Sequence, residues 1–259
     1  MNITDIDINK AEKILLPKDM HFDDERRDFI KGLESCDLLA VPGSGKTTAL
    51  QAKLFCMSRH LPLDKGQGIL VLSHTNNAVN EVKKKLYDEC SPLFEEPHFI
   101  GTVQDFVDKF LAIPFYEQFY KQKVHVIDGM AYEQEVERYL KTSIWKLSKG
   151  TQYLYIKKSK FTDIRVHRAK DGSLKYTRGM DEKLSFKPVR KWIREGSEQQ
   201  MHEGIKADLI KMKKAIMKKG ILHYDDCYIL ADAYISKYPF VKTTLRKRFK
   251  YIFIDETQD

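Results

Sequence analysis

A short apolar run, a glycine-rich turn and a helical segment follow one another from Asp37 to about Arg59. No other feature limits the possible folds of this chain so strongly. The turn lies within Ala40-Val-Pro-Gly-Ser-Gly-Lys-Thr47. A loop of this form aims backbone N–H groups inward and sets a helix N-terminus behind them, which is the chemistry of a phosphate cradle. Gly43 and Gly45 allow the required backbone shape. Lys46 can reach β- and γ-phosphates, and the Thr47 hydroxyl can hold Mg²⁺. The first position is Ala40 rather than Gly, so the strict pattern is missed by one residue.

The complement stands at the far end, in Tyr251-Ile-Phe-Ile-Asp-Glu-Thr-Gln-Asp259. An apolar strand-like run delivers Asp255 and Glu256 to its carboxyl end. Asp255 can bind the metal, and Glu256 can orient and deprotonate an attacking water. An Asp-Glu pair alone is weak evidence. Behind four apolar strand residues, and downstream of a phosphate loop, it reads as the second half of a nucleoside-triphosphate site.

Between these ends, strands alternate with helices. The pattern predicts a helix over 22–35 and a buried strand over 37–41. Gly68–Ser73 and His98–Thr102 read as further strands. Helices are expected over 77–86, where Ala78, Val82 and Leu86 share one face, and over 104–111, ending near Pro114. This rhythm argues for an α/β fold with a parallel sheet flanked by helices. Residues 112–204 break it. They read as a mainly helical insertion with a small hairpin around Lys170-Asp-Gly-Ser173. Beyond them Ile205, Leu209, Met212 and Ile216 form a helical core stripe within 205–219. A helix over 225–236 and a strand over 251–254 complete the reading.

Composition sets bounds. At 259 residues, 42% hydrophobic and 32% charged, the chain can bury a core as one large or two small domains. No apolar run reaches the roughly 20 residues of a membrane span. The N-terminus lacks the features of a signal peptide. Cys36, Cys56, Cys90 and Cys227 are scattered, which suits free thiols in a cytoplasmic protein. Net charge is +8 but uneven: −4 over residues 1–111, +7 over 112–204, +8 over 205–250 and −3 over the last nine. Basic segments of this size suit a polyanionic partner or a lysine-rich solvated surface.

Taken in order, the motifs resemble those of the UvrD/Rep-like superfamily 1A DNA helicases. Asp255-Glu-Thr-Gln-Asp259 resembles motif II of that family, which reads DExQD. Ala40–Thr47 followed by Thr48 resembles motif I. Ser73-His-Thr-Asn-Asn-Ala-Val-Asn-Glu-Val82 is similar to motif Ia, and Gly101-Thr-Val-Gln-Asp-Phe106 to motif Ib. His223-Tyr-Asp-Asp226 resembles the Asp-Asp element before motif II. The resemblance implies a RecA-like phosphate-loop sheet, with ATP and Mg²⁺ as cofactors. It implies that Pro42, Gly43, Ser44, Gly45, Lys46, Thr47 and Thr48 bind nucleotide, with Thr47 and Asp255 at the metal. Lys46, Glu256 and Gln258 would carry catalysis, with Gln258 sensing the γ-phosphate. Thr75, Asn76, Thr102 and Phe106 would line a path for single-stranded DNA. Thr75 and Asn76 read equally as a helix cap, and Phe106 as core.

In the family an inserted helical subdomain, 1B, separates motif Ib from the Asp-Asp element. The expected division is therefore a RecA-like part over 1–111, a 1B-like insertion over 112–204, and the rest of the RecA-like domain over 205–259. Lys157, Lys158 and Lys160 beside Tyr153 and Tyr155 are basic residues next to aromatic ones, a pattern that suits a nucleic-acid face within that insertion. The chain also departs from the pattern. Arg26 stands where a glutamine usually reads adenine, and Gln104 replaces the usual His of motif Ib. Motifs III to VI are absent, and with them the arginines that stabilise the transition state. In such sheets the strand after motif II inserts between the strands of motifs I and II. Residues 1–259 alone are therefore expected to be aggregation-prone, as a fragment, an interrupted gene or one half of a split protein.

The resemblance implies the ATP-binding module of a helicase or translocase that couples hydrolysis to single-stranded or partly duplex DNA, weak or inactive in isolation, with a second chain supplying the missing domain. A stretch from Ile100 to Pro114 is similar to the UvrD-like partner of anti-phage Gabija systems. The alternative is a non-catalytic nucleotide- or DNA-sensing subunit that partners a nuclease in such defence.

Overall fold

The structure, a computed structural model, describes residues 1–37, 45–156, 164–168, 174–178, 182–183 and 198–255. The expected strand over 37–41 falls almost wholly outside them, as do Pro42, Gly43, Ser44, Glu256 and Gln258. In chain order the helices are α1 (Asp5–Leu15), α2 (Asp24–Lys31), α3 (Lys46–Ser58), α4 (Asn76–Leu86), α5 (Val103–Val107), α6 (Ile113–Tyr120), α7 (Gly129–Ser143), α8 (Lys149–Ile156), α9 (Glu198–Met217), α10 (Tyr224–Lys237) and α11 (Phe240–Arg248). The strands are β1 (Gly68–Ser73), β2 (Phe99–Thr102), β3 (Val126–Ile127), β4 (Ile164–Arg168), β5 (Leu174–Arg178), β6 (Glu182–Lys183), β7 (Ile221–Leu222) and β8 (Phe249–Ile254).

Two compact units emerge. One joins Met1–Phe106 to Pro239–Asp259, and the other spans Val107–Tyr238. These limits differ from the domain limits drawn from sequence. Residues 205–238, assigned there to the RecA-like part and including most of helix α9 and all of α10, pack in the second unit.

The first unit is an α/β layer. Its sheet has the order β2-β1-β8, all parallel. β1 is buried along its whole length, as a central parallel strand covered on both faces must be. Alternation sends Ile69 and Val71 to one face, where Ile100, Tyr251 and Phe253 join them. Against that face lie Leu50, Leu54, Phe55 and Met57 of α3, then Ile8 and Ala11 of α1 and Ile30 of α2. Ile252 and Ile254 alternate to the opposite face of β8 and are exposed. Gly68 is required at the start of β1, because a Cβ there would lie 2.3 Å from the Pro97 carbonyl oxygen. Next to it, the Ile69 N–H donates to Nδ1 of the buried His98 at 3.0 Å.

In the second unit the stripe Ile205, Leu209, Met212 and Ile216 is buried against Tyr132, Val136 and Leu140 of α7 and Leu154 of α8. β3 and β7 pair in parallel. β4 and β5 pair antiparallel, with Arg168 opposite Leu174; the expected Lys170–Ser173 turn lies outside the described residues. The helix expected to stop near Pro114 does not stop. A π-helical turn over 108–112 brings the Ile113 N–H to the Asp108 carbonyl, and Pro114 sits in the first turn of α6, where no N–H is needed. Asp226 is fully buried, paired with Lys213, and accepts the His223 N–H at 3.0 Å. The Asp-Asp element is thus a helix cap and a buried ion pair within this unit.

Candidate functional site

Gly45 is the N-cap of α3, with φ +83° and ψ 19°. This left-handed conformation suits glycine and turns the chain into the helix. The first turn of α3 holds no acidic residue, and its N-cap glycine has no side chain to cap it. Its leading N–H groups and positive end are therefore not answered by a carboxylate of that turn. Lys46, Thr47 and Thr48 follow at once, each half-buried.

Arg26 approaches this turn from α2. A Cβ built on Gly45 would lie 4.0 Å from Arg26 Nε. Asp23 caps α2, accepting the Arg26 N–H at 2.9 Å, and also pairs with its guanidinium. The next residue, Arg27, donates to Glu12 of α1 at 2.6 Å. Glu12 is buried, and also accepts the Phe22 N–H at 3.0 Å beside His21 at 2.8 Å. Burial would raise the Glu12 carboxyl, but His21, the Phe22 amide and Arg27 together hold it below its ordinary value.

The parallel order of the sheet collects the remaining groups. Ser73, Thr102 and Asp255 all lie at the carboxyl edge, since β1, β2 and β8 run the same way. The Asp255 N–H extends the ladder by donating to Leu72 O at 2.9 Å. The Ser73 hydroxyl is buried there without a hydrogen-bond partner among the described residues. α3 lies over β8, because the Lys53 ammonium stands 5.8 Å from the Phe253 ring. Lys53 is seven residues past Lys46, and Phe253 two residues before Asp255. A helix N-terminus with a lysine, a hydroxyl and a strand-end carboxylate could hold a magnesium–triphosphate. Among the described residues no group of three or more His, Cys, Asp or Glu could hold a metal. Mg²⁺ suits such a sparse site, because it takes one or two carboxylates and completes its shell with phosphates and water.

The residues assigned to the DNA path divide. Thr75 is the N-cap of α4 and accepts the Ala78 N–H at 3.3 Å, while Asn76 opens the helix; both are exposed. Thr102 is buried and exchanges bonds with Asp105, donating its N–H to the carboxylate at 2.9 Å and accepting the Asp105 N–H at 3.0 Å. Phe106 packs on Phe99 at 6.0 Å and Phe249 at 6.2 Å. These two tie the end of β2 to α5 and to the start of β8.

Sequence reasoning did not single out Glu12, Arg27 or Lys53. Glu12 and Arg27 carry no signal in a polar segment. Lys53 does, as one charge inside the otherwise apolar run Ala49–Met57 apart from Gln51.

The model of the UvrD/REP helicase N-terminal domain matches residues 24–259. No curated protein matches the chain.

Proposed function

The chain belongs to the UvrD/REP helicase N-terminal domain family, and from that premise we propose that it is the ATP-binding module of a DNA helicase or translocase. Helicases of this family use ATP with Mg²⁺ and act on DNA. One observation supports the site most: the order β2-β1-β8 gathers Ser73, Thr102 and Asp255 at the edge of a sheet overlain by the helix that begins at Lys46.

In this reading Pro42, Gly43, Ser44 and Gly45 shape the phosphate loop, and the α3 N-terminus with Lys46 holds the β- and γ-phosphates. Thr47 and Asp255 hold Mg²⁺, and Thr48 continues the binding turn. Bound Mg²⁺ neutralises phosphate charge and orients the γ-phosphate. Glu256 takes a proton from the attacking water, and Gln258 links the γ-phosphate to bound DNA. Arg26 faces the nucleotide beside the loop. Thr75 and Asn76 touch a single DNA strand, and Thr102 and Phe106 shape the wall behind it. The basic insertion of residues 112–204 adds backbone attraction.

The test is the affinity of residues 1–259 for a fluorescein-labelled single-stranded oligonucleotide, measured by anisotropy with and without Mg²⁺-ATP. Coupling makes nucleotide shift that affinity about fivefold or more in wild type and not in Lys46→Ala. Equal affinities with and without nucleotide in wild type would refute the reading.

A further inference from the structure

Lys53 lies in the middle of α3, only 3% exposed, between Ala52 and Leu54, which are fully buried. Burying an ammonium is unfavourable unless it is compensated. Among the described residues no carboxylate pairs with it. Its Nζ donates instead to the carbonyl oxygens of Phe29, at 2.7 Å, and Gly32. Those carbonyls are at the C-terminal end of α2, where the helix dipole favours a cation. The same ammonium stands 4.4 Å from the centre of the Phe29 ring and 5.8 Å from that of Phe253. Burial lowers its pKa, against a smaller opposing influence from Cys36.

Three elements therefore meet at one charge. α2 carries Arg26, one turn before Phe29. α3 opens with Lys46. β8 ends just before Asp255. α2 has eight residues, too few to persist alone in water. Its first turn is fixed by Asp23 and by the bond from Arg27 to Glu12. Its last turn is fixed by Lys53.

Building on the proposed nucleotide site, we infer that Lys53 is a positioning residue of that site, fixing α2, and with it Arg26, against the phosphate-loop helix and the strand that ends at Asp255. Lys53 itself does not touch nucleotide. It acts through Arg26, and that makes the claim separable from a role in packing alone.

A double-mutant cycle on the affinity of residues 1–259 for a fluorescent ATP analogue with Mg²⁺ tests this. The variants are Lys53→Met, Arg26→Ala, their combination, and Lys53→Arg, each confirmed folded by circular dichroism. Lys53→Met and Arg26→Ala should each weaken binding about tenfold, and the double variant no more than either alone. Lys53→Arg keeps the charge and should stay within about threefold of wild type. If Lys53→Met fails to fold, Lys53→Gln, which removes the charge but keeps an amide NH₂ as donor, takes its place in the same cycle. Multiplicative losses in the double variant, or wild-type affinity in Lys53→Met, would overturn the inference while leaving the nucleotide site standing. Wild type binding no better than Lys46→Ala would overturn both.

Discussion

Arg26 Nε lies 4.0 Å from the position a Cβ would take on Gly45. That spacing is ordinary van der Waals contact, so an alanine at 45 would meet no clash with the arginine. The penalty comes from the backbone, whose φ of +83° disfavours any side chain. Gly45→Ala should lower stability by about 1–2 kcal/mol in urea denaturation. It should also weaken nucleotide binding, because relaxing φ redirects the loop's N–H groups. Unchanged stability would show that the left-handed turn is not held in solution.

Glu12 joins α1 to α2 through Arg27 and the Phe22 N–H. Its carboxyl is held below the ordinary value despite burial, by His21, the Phe22 amide and Arg27. A folded pKa below the unfolded one means stabilisation present above about pH 4.3, the unfolded value, and lost as pH falls through the folded one. Glu12→Gln should be less stable at neutral pH and show a shallower fall in urea midpoint below about pH 4.3. Parallel profiles for variant and wild type would contradict the role.

His98 titrates in a separate window. Its Nδ1 accepts the Ile69 N–H, and burial pushes its pKa below the ordinary imidazole value of 6.5. The unfolded chain therefore gains the proton first. Stability from this contact is complete above about pH 6.5 and declines as pH falls from there to the folded pKa. His98→Asn keeps an acceptor without a titrating group. The stability gap between wild type and this variant should shift against wild type as pH drops below about 6.5. A gap independent of pH would refute it.

Asp226 and Lys213 form a buried pair in the second unit, with Asp226 0% exposed. Removing one partner leaves the other charge buried alone. Asp226→Ala should destabilise the unit by about 3–5 kcal/mol, read from chemical denaturation. Asp226→Ala combined with Lys213→Met should recover a large part of that loss. Equal destabilisation in the single and double variants would show that the pairing is not what Asp226 provides.

The parts of this fold readable from sequence share one property: their partners leave a periodic trace. β1 and α4 fall at the expected residues because alternation and spacing of apolar side chains mark them, as does the stripe Ile205 to Ile216. α1 and α11 leave no such trace, since a single apolar face in a charged segment is easily hidden; Val241 alone is buried in α11. The glycine-rich segment before Lys46 and the acids after β8 stand out in the sequence by residue type and order. Lys53 does not. Its anomaly as a charge in an apolar helix is visible, but its partners are the main-chain carbonyls of Phe29 and Gly32, and a carbonyl leaves no imprint on residue identity. Arg26 beside Gly45 is of the same kind, a meeting across helices set by packing.

The central claim is that the helix starting at Lys46 and the carboxylate of Asp255 serve one magnesium-bound nucleotide. Titrating residues 1–259 with a fluorescent ATP analogue, with and without Mg²⁺, tests it most directly. Mg²⁺ should strengthen binding, Lys46→Ala should weaken it about tenfold or more, and Asp255→Asn should abolish the Mg²⁺ enhancement. Affinity indifferent to Lys46→Ala, or Mg²⁺ enhancement intact in Asp255→Asn, would contradict it.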